Sequence, residues 1–324
     1  MITLAVDMSS GDLGSKAALE GVRLFQEKHP NEVNFLLVGK KEELEGAQGE
    51  IVDAKEVMPM EAGVLDALRN KESSMFKAVN SVKEKKADGV ISCGGTGAFL
   101  TCATVLLRKI PGAERACLVA PFPTRIKGKK VVILDVGANN ENSGKEIAQF
   151  ALMGSLYSRC VYNVKDPKVY VLSNGSEEGK GSPEGQEAYA LLKERKDINF
   201  QGNLEARDVL NGDADVVATD GFSGNTLLKG TEGVAKMMSE MMKSAFQRNI
   251  FSKLGYLLSR KGFKDMKETM DYKSVGGAML LGVNGVVVKA HGNSDGVAIF
   301  HAIEVAYSLA KNKLVDQIKE GLSQ

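Results

Sequence analysis

Three glycine-centred turns hold the residues best suited to chemistry in this chain. Ser92-Cys93-Gly94-Gly95-Thr96-Gly97-Ala98 follows the apolar run Gly89-Val90-Ile91. Asp135-Val136-Gly137-Ala138-Asn139 follows Val131-Val132-Ile133-Leu134, and Asp220-Gly221-Phe222-Ser223-Gly224-Asn225 follows Val216-Val217-Ala218. Each pattern reads as a strand end feeding a helix, where backbone N–H groups point outward and glycine lets an anion approach closely. One such turn is a packing device. Three in one chain describe a cleft built for phosphate, with Gly94, Gly95, Thr96, Gly97, Gly137 and Gly224 as candidate binding positions.

Polar side chains stand beside these turns. Asn139, Asn203 and Asn225 each neighbour a glycine at an expected strand end. Their amides could position phosphate or a polarised carbonyl without adding negative charge, or they could hold left-handed turns and cap helices. Ligands gather at the carboxyl ends of parallel strands, which puts Asn225 and Asn139 first as catalytic candidates. His291, in Lys289-Ala290-His291-Gly292-Asn293-Ser294-Asp295, titrates near neutrality and could protonate a leaving group or pair with phosphate. The plainer alternative is a histidine bonded to its own turn, with Ser294 or Asn293 capping the next helix. Ser294 is also a candidate phosphate donor.

Lys180 lies in the glycine- and serine-rich stretch 174–183, which reads as an active-site lid or a plain connector. Its ammonium is a candidate catalytic cation, or simply a solvated loop lysine. Cys93 at a helix start could carry an acyl group, although a small cysteine filling a buried space is the better reading. Asp7, Asp12, Asp135 and Asp220 would repel phosphate, so they fit helix caps or orienting groups better than ligands, with a magnesium site as the alternative. The four cysteines form no Cys-x-x-Cys pair, and three histidines offer no zinc spacing, so no metal is expected.

The elements that must position these residues alternate along the chain. Strands are expected at 3–7, 34–38, 89–92, 116–120, 130–135, 168–172, 199–202, 214–219 and 285–289, with helices at 17–28, 73–85, 98–108 and 145–161. That order predicts a mostly parallel sheet flanked by helices, one α/β domain over residues 1–324 with room for two lobes around a cleft. A chain of 324 residues with 43% hydrophobic and 26% charged content supports an ample core. Net charge +1 gives no global attraction for nucleic acid. No apolar run approaches the roughly 18 residues of a spanning helix, and residues 1–7 read as a strand rather than a signal peptide, so the cytoplasm is expected.

One stretch has a different composition. Met237, Met238, Met241, Met242 and Phe246 recur at helical spacing, and Ile250, Phe251, Leu254, Leu257 and Leu258 form an apolar stripe. Lys243, Arg248, Lys253, Arg260, Lys261, Lys264 and Lys267 are interleaved with them. Such a basic amphipathic segment, about 237–270, suits an anionic membrane or an acidic partner, and equally a subunit interface with a solvated basic face.

Several ordered motifs together resemble the PlsX family of phosphate acyltransferases over nearly the whole chain. They are Leu134-Asp135-Val136-Gly137-Ala138-Asn139 with Gln149-Phe150-Ala151-Leu152-Met153-Gly154, Gly202-Asn203-Leu204-Glu205 with the Asp220–Asn225 turn, and residues 276–285 with Lys289-Ala290-His291-Gly292-Asn293-Ser294. The resemblance implies a fold like that of phosphotransacetylases and, more distantly, isocitrate- and isopropylmalate-type dehydrogenases. It implies transfer of a long-chain acyl group from acyl carrier protein to inorganic phosphate, without cofactor. The acyl phosphate then serves a membrane glycerol 3-phosphate acyltransferase in phospholipid synthesis. A homodimer in peripheral membrane contact is implied too. Phosphate dianion is itself a competent nucleophile, so the lack of triad material fits such a reaction. A short-chain enzyme using coenzyme A thioesters and a catalytically weak docking scaffold are the alternatives.

The chain departs from the family pattern at Asp7-Met8-Ser9-Ser10-Gly11-Asp12, where Asp-Ala-Met-Gly-Gly-Asp is usual. It also departs at Gly95, where asparagine is usual, and at Asn140-Glu141-Asn142, where the usual acid is displaced or replaced.

Overall fold

Eleven strands and ten α-helices form among the residues described by the computed structural model, which are 1–63, 65–270 and 277–323, with side chains left aside at 264–270. Gly276 of the third shared motif, and the side chains of Lys264 and Lys267, therefore lie outside the description. The strands are β1 Ile2–Asp7, β2 Val33–Gly39, β3 Glu50–Asp53, β4 Gly89–Ser92, β5 Cys117–Pro123, β6 Lys130–Leu134, β7 Lys168–Ser173, β8 Asn199–Glu205, β9 Val216–Ala218, β10 Ala278–Leu281 and β11 Val286–Lys289. The helices are α1 Gly14–Lys28, α2 Asp66–Arg69, α3 Ser74–Lys83, α4 Thr96–Leu107, α5 Gly144–Tyr162, α6 Pro183–Lys193, α7 Gly221–Gln247, α8 Ile250–Met270, α9 Gly296–Lys311 and α10 Leu314–Leu322.

All eleven strands join one sheet in the order β3-β2-β1-β4-β11-β10-β5-β6-β9-β7-β8. The flanks are parallel, but β10 is antiparallel to both β11 and β5, and β5 is antiparallel to β6. Three reversals in succession leave the two parallel flanks running in opposite senses. The turn after β4 and the turn after β9 are both carboxyl-terminal turns, yet they belong to flanks of opposite direction. The expected α/β architecture with a mostly parallel sheet flanked by helices is present, and the central reversal is an addition to it.

Local chemistry explains most of the element boundaries. The inner parallel strands are continuous apolar runs, as strands covered on both faces require. Ser73 caps α3, Ser182 caps α6 with Pro183 in its first turn, and Ser143 with Glu146 closes a capping box on α5. Asp220 and Asp295 cap α7 and α9. Asp295 is thus the cap after His291, in place of the Ser294 or Asn293 anticipated from the sequence.

Strand β5 passes beyond the expected end at residue 120 and includes Pro121 and Pro123. The register shows why it can: β10 pairs only with residues 117–119, so from Pro121 onward one edge of β5 needs no ladder donor. Strands β3 and β10 escaped the sequence pattern. In β3 only Ile51 and Val52 are apolar, between Glu50 and Asp53, and it pairs on one side only, with β2.

Two apolar layers sandwich the sheet. Phe25, Phe150, Tyr157 and Ile303, from α1, α5 and α9, fill one face. Met75, Val79 and Phe99, from α3 and α4, fill the other with Ala5, Val90, Val287 and Leu118. The basic amphipathic stretch becomes a helical hairpin. Its helices α7 and α8 meet through Phe246, which lies 5.4 Å from Tyr256 and 4.6 Å from Phe263 between ring centroids.

Candidate active site

A cavity of about 910 Å³ joins the carboxyl-terminal turns of the two flanks. Thr96 and Gly97 enter from the start of α4, Gly137 and Ala138 from the turn after β6, and Asn225 from the first turn of α7. Lys289, Ala290 and His291 enter from the end of β11, and Leu118, Ala120 and Phe122 of β5 supply an apolar wall. The lining therefore combines a helix start and polar side chains with apolar residues of β5.

Asp135 organises the turn between β6 and α5. Its Oδ1 accepts from the backbone N–H of Leu118 (2.9 Å), Gly137 (3.1 Å) and Ala138 (3.0 Å). Its Oδ2 accepts from the backbone N–H and the Nδ2 of Asn139, both at 2.8 Å. Burial still pushes the Asp135 carboxyl above its ordinary range, with the bonds from Ala138, Leu118 and Asn139 pulling the other way. The Nδ2 of Asn139 also donates to the Ala116 carbonyl at 2.8 Å. Asn139 is thus committed to holding the turn, and it does not line the cavity.

Asn225 is placed by two close approaches. A Cβ at Gly224 would fall 1.9 Å from the Asp135 carbonyl oxygen, so only glycine lets α7 start against that turn. A Cβ at Gly137 would fall 3.3 Å from the Asn225 Cγ, which puts the asparagine amide directly over the Gly137 backbone. Gly137 has φ +121°, a conformation side chains rarely adopt. Gly224 itself does not reach the cavity lining.

The remaining sequence candidates separate in the same way. Thr96, Gly97, Gly137, Asn225 and His291 line the cavity. Gly94 donates its N–H to Ser92 Oγ at 3.0 Å, and Gly95 lies against the Met60 carbonyl oxygen, 2.4 Å from where a Cβ would stand. An asparagine at position 95 would collide with that carbonyl, which accounts for glycine in this chain. Ser294 is buried and donates its N–H to the His291 carbonyl at 3.1 Å.

Asn203 and Lys180 lie outside the cavity lining. Asn203 Nδ2 donates to the carbonyl of Glu177 at 2.8 Å and pins the loop 174–183, assisted by Gly181 N–H on Asn174 Oδ1 at 2.9 Å. Lys180 is exposed in that loop, beside β7 and β8 at the edge of the sheet.

Two residues gain a meaning from the fold that spacing did not supply. Lys289 lines the cavity while only 7% exposed, with burial pushing its ammonium below the usual lysine range and Cys93 and Asp7 opposing that push. The available signal was a charged residue closing the four-residue run Val286-Val287-Val288-Lys289, two positions before His291. Asp7 is 2% exposed and accepts from Ser92 Oγ at 2.6 Å. Beside them Cys93 is buried, its thiol pushed up to about 12 chiefly by burial, so it is a space-filling thiol rather than a nucleophile.

The first part of α7 lines the cavity through Asn225, Leu228, Lys229 and Glu232, whereas the basic stretch from Met237 onward does not. Lys243, Arg248, Phe251, Lys253, Leu254, Leu257, Leu258, Arg260 and Lys261 are all exposed, Phe251 and Leu258 at 81%. Among the described residues no helix is long and apolar enough to cross a membrane, and no group of three His, Cys, Asp or Glu side chains is placed to hold a metal ion.

A mostly parallel α/β sheet of this kind, covered by helices on both faces, is an architecture shared by phosphotransacylases and dehydrogenases. The fatty acid synthesis protein family matches residues 2–317 of the chain. A phosphate acyltransferase from an Exiguobacterium species is 41% identical over 323 residues, covering 98% of each chain. One from Fervidobacterium nodosum is 40% identical, covering 99% of this chain and 98% of that one. Among solved structures, a phosphotransacetylase from Streptococcus pyogenes superposes with a TM-score of 0.63 at 17% identity, covering 96% of this chain and 94% of its own. That last likeness speaks for the fold. The chain belongs to the fatty acid synthesis protein family, among its phosphate acyltransferases, and it is a transferase.

Proposed function

We propose that this protein transfers a long-chain acyl group from acyl carrier protein to inorganic phosphate, giving acyl phosphate for phospholipid synthesis. The observation that carries the reading is the cavity itself, whose lining combines the start of α4 and Asn225 with the apolar residues of β5. An anion fits the first and an acyl or pantetheine chain the second.

In the reaction, a phosphate oxygen attacks the thioester carbonyl carbon and a tetrahedral oxyanion forms. The C–S bond then breaks, its electron pair leaves on sulfur, and the thiolate takes a proton. The N–H groups at Thr96 and Gly97 and the amide of Asn225 stabilise phosphate and oxyanion, because donors fixed by the fold need no reorganisation as charge develops. His291, at the cavity rim, supplies the proton to the leaving thiolate.

The same proposal extends to a cytoplasmic homodimer in peripheral contact with the membrane, delivering its product to a membrane glycerol 3-phosphate acyltransferase. Support comes from the α7–α8 hairpin, where exposed Phe251, Leu254 and Leu258 alternate with Lys253, Arg260 and Lys261. An acidic carrier protein fits the same basic surface.

The test is phosphate-dependent release of free thiol from long-chain acyl carrier protein, with radiolabelled phosphate recovered in an acid-labile lipid product. Turnover requiring both substrates supports the proposal. Turnover only with short-chain coenzyme A thioesters replaces the donor, and no turnover with either removes the reaction.

A further inference from the structure

A lysine buried at the floor of a cavity needs a reason to be there. Lys289 ends β11 opposite Ser92 of β4 on one side and Ala278 of β10 on the other. Strand β1 pairs with β4 up to Val6 and Ile91, so Asp7 stands next to Ser92, and the Ser92 Oγ to Asp7 Oδ2 bond of 2.6 Å closes that contact. Residues opposite one another across a sheet share a face. Asp7, Ser92, Lys289 and Ala278 therefore form one row, and its Lys289–Ala278 end lies in the cavity.

The charges in this row are incompletely satisfied. Asp7 Oδ1 is buried without a hydrogen-bond partner among the described residues. Among the described residues Lys289 Nζ gives one bond, to the Ala290 carbonyl, of the three that an ammonium can donate. Other cations of the lining are differently engaged: the Lys229 side chain is 65% exposed and pairs with Glu232 at 3.0 Å, and Arg125 Nε donates to the Asn211 carbonyl at 2.9 Å. Among the described residues, Lys289 is the lysine or arginine that is both buried and part of the cavity lining. Burial without a full set of partners is costly for an ammonium, and a bound dianion would remove much of that cost.

We propose that the Lys289 ammonium binds the phosphate co-substrate directly, in the cavity that the start of α4 also lines, with Asp7 and Ser92 as positioning residues for the lysine. This rests on the phosphate-acceptor reading of the same cavity. The ligand class is a small tetrahedral oxyanion: phosphate as substrate, with arsenate as its mimic. Ser92 fixes Asp7 through its Oγ while also receiving the Gly94 N–H at 3.0 Å. The row thus couples the lysine to the turn that opens α4.

The test is binding of inorganic phosphate to the full chain by equilibrium dialysis, without any acyl donor. Wild type should bind phosphate saturably, with arsenate competing. Lys289→Met should weaken binding at least tenfold and Lys289→Arg should restore part of it. Lys193→Met, which removes a surface lysine paired with Glu178, should leave binding within twofold. Melting temperatures check that each variant is folded, and Lys289→Gln replaces the methionine variant if that one does not fold.

Phosphate binding unchanged in the folded Lys289 variants, or absent from wild type, overturns the proposal. Turnover separates it from the reaction it rests on. Lysine-dependent phosphate binding without thioester consumption keeps Lys289 and removes the reaction. Wild-type turnover with an unaltered phosphate KM in Lys289→Met keeps the reaction and removes Lys289.

Discussion

Asp135 Oδ2 holds Asn139 twice, through its backbone N–H and through its side-chain Nδ2, each at 2.8 Å. That double bond set decides between two asparagines that look equivalent in the sequence. Asn139 spends its amide inside the fold, whereas Asn225 presents one to the cavity. Asn139→Ala should therefore lower stability by about 1–3 kcal/mol, as expected when a buried donor or acceptor loses its partner. Asn225→Ala should leave the melting temperature nearly unchanged and reduce turnover by about tenfold or more, in line with loss of one fixed donor to a developing oxyanion. Chemical denaturation alongside the thiol-release assay distinguishes the two.

Asp135→Asn tests the acceptor role of the carboxylate itself. Asparagine offers one acceptor oxygen, and its NH2 would face the two Asn139 donors. A loss of about 1–3 kcal/mol is expected at pH 7. The pH dependence has a definite sign. The folded Asp135 carboxyl titrates above the unfolded value, so ionisation costs stability at neutral pH. That cost is relieved as pH falls through the folded and then the unfolded value. The wild-type protein should gain stability from this group on acidification while Asp135→Asn does not, so the gap between them widens toward low pH. Urea midpoints taken stepwise from pH 7 down toward the unfolded carboxylate value of about 4 would show it, and a gap that narrows would refute it.

Gly224→Ala puts a methyl group 1.9 Å from the Asp135 carbonyl oxygen, and neither backbone can move without shifting Asn225 or the Asp135 turn. A destabilisation of about 1–3 kcal/mol, typical of overpacking, should accompany a fall in turnover. Gly97→Ala is the comparison, since nothing lies within 4 Å of its added Cβ. Thermal melts of the two variants are the measurement.

Cys93 should be inert toward alkylation in the native protein. With its thiol pushed up to about 12, the thiolate at pH 8 is a fraction on the order of 10⁻⁴. Iodoacetamide should leave it unmodified until the protein is denatured, and no acyl-enzyme should accumulate when acyl carrier protein is supplied without phosphate. Mass spectrometry reads both; a Cys93 adduct in the folded protein would establish a reactive thiol.

The hairpin prediction concerns association. Phe251→Ser together with Leu258→Ser removes two side chains that are each 81% exposed, so the melting temperature should hold. Cosedimentation with anionic vesicles should fall several-fold, and with neutral vesicles it should be weak for both proteins. Equal sedimentation of variant and wild type would assign this surface to something other than lipid.

Much of this protein was legible from local pattern. Alternating apolar runs and helical stretches announced a mostly parallel α/β sheet, and the glycine turns after residues 92, 134 and 219 announced strand ends feeding helices, because strand period and turn chemistry are properties of neighbours in the chain. Thr96, Gly97, Gly137, Asn225 and His291 were read in that way and line one cavity. The family motifs added the chemistry expected there.

What depends on strand order stayed invisible. No local signal states that β10 and β5 reverse the sheet, or that Lys289 therefore closes a row begun by Asp7 and Ser92. Nor could spacing show that Asn139 faces Ala116 while Asn225 faces the cavity, or that Gly224 is required by a carbonyl 89 residues earlier at Asp135. Those outcomes belong to pairs distant in sequence, and the register of the sheet decides which of them meet.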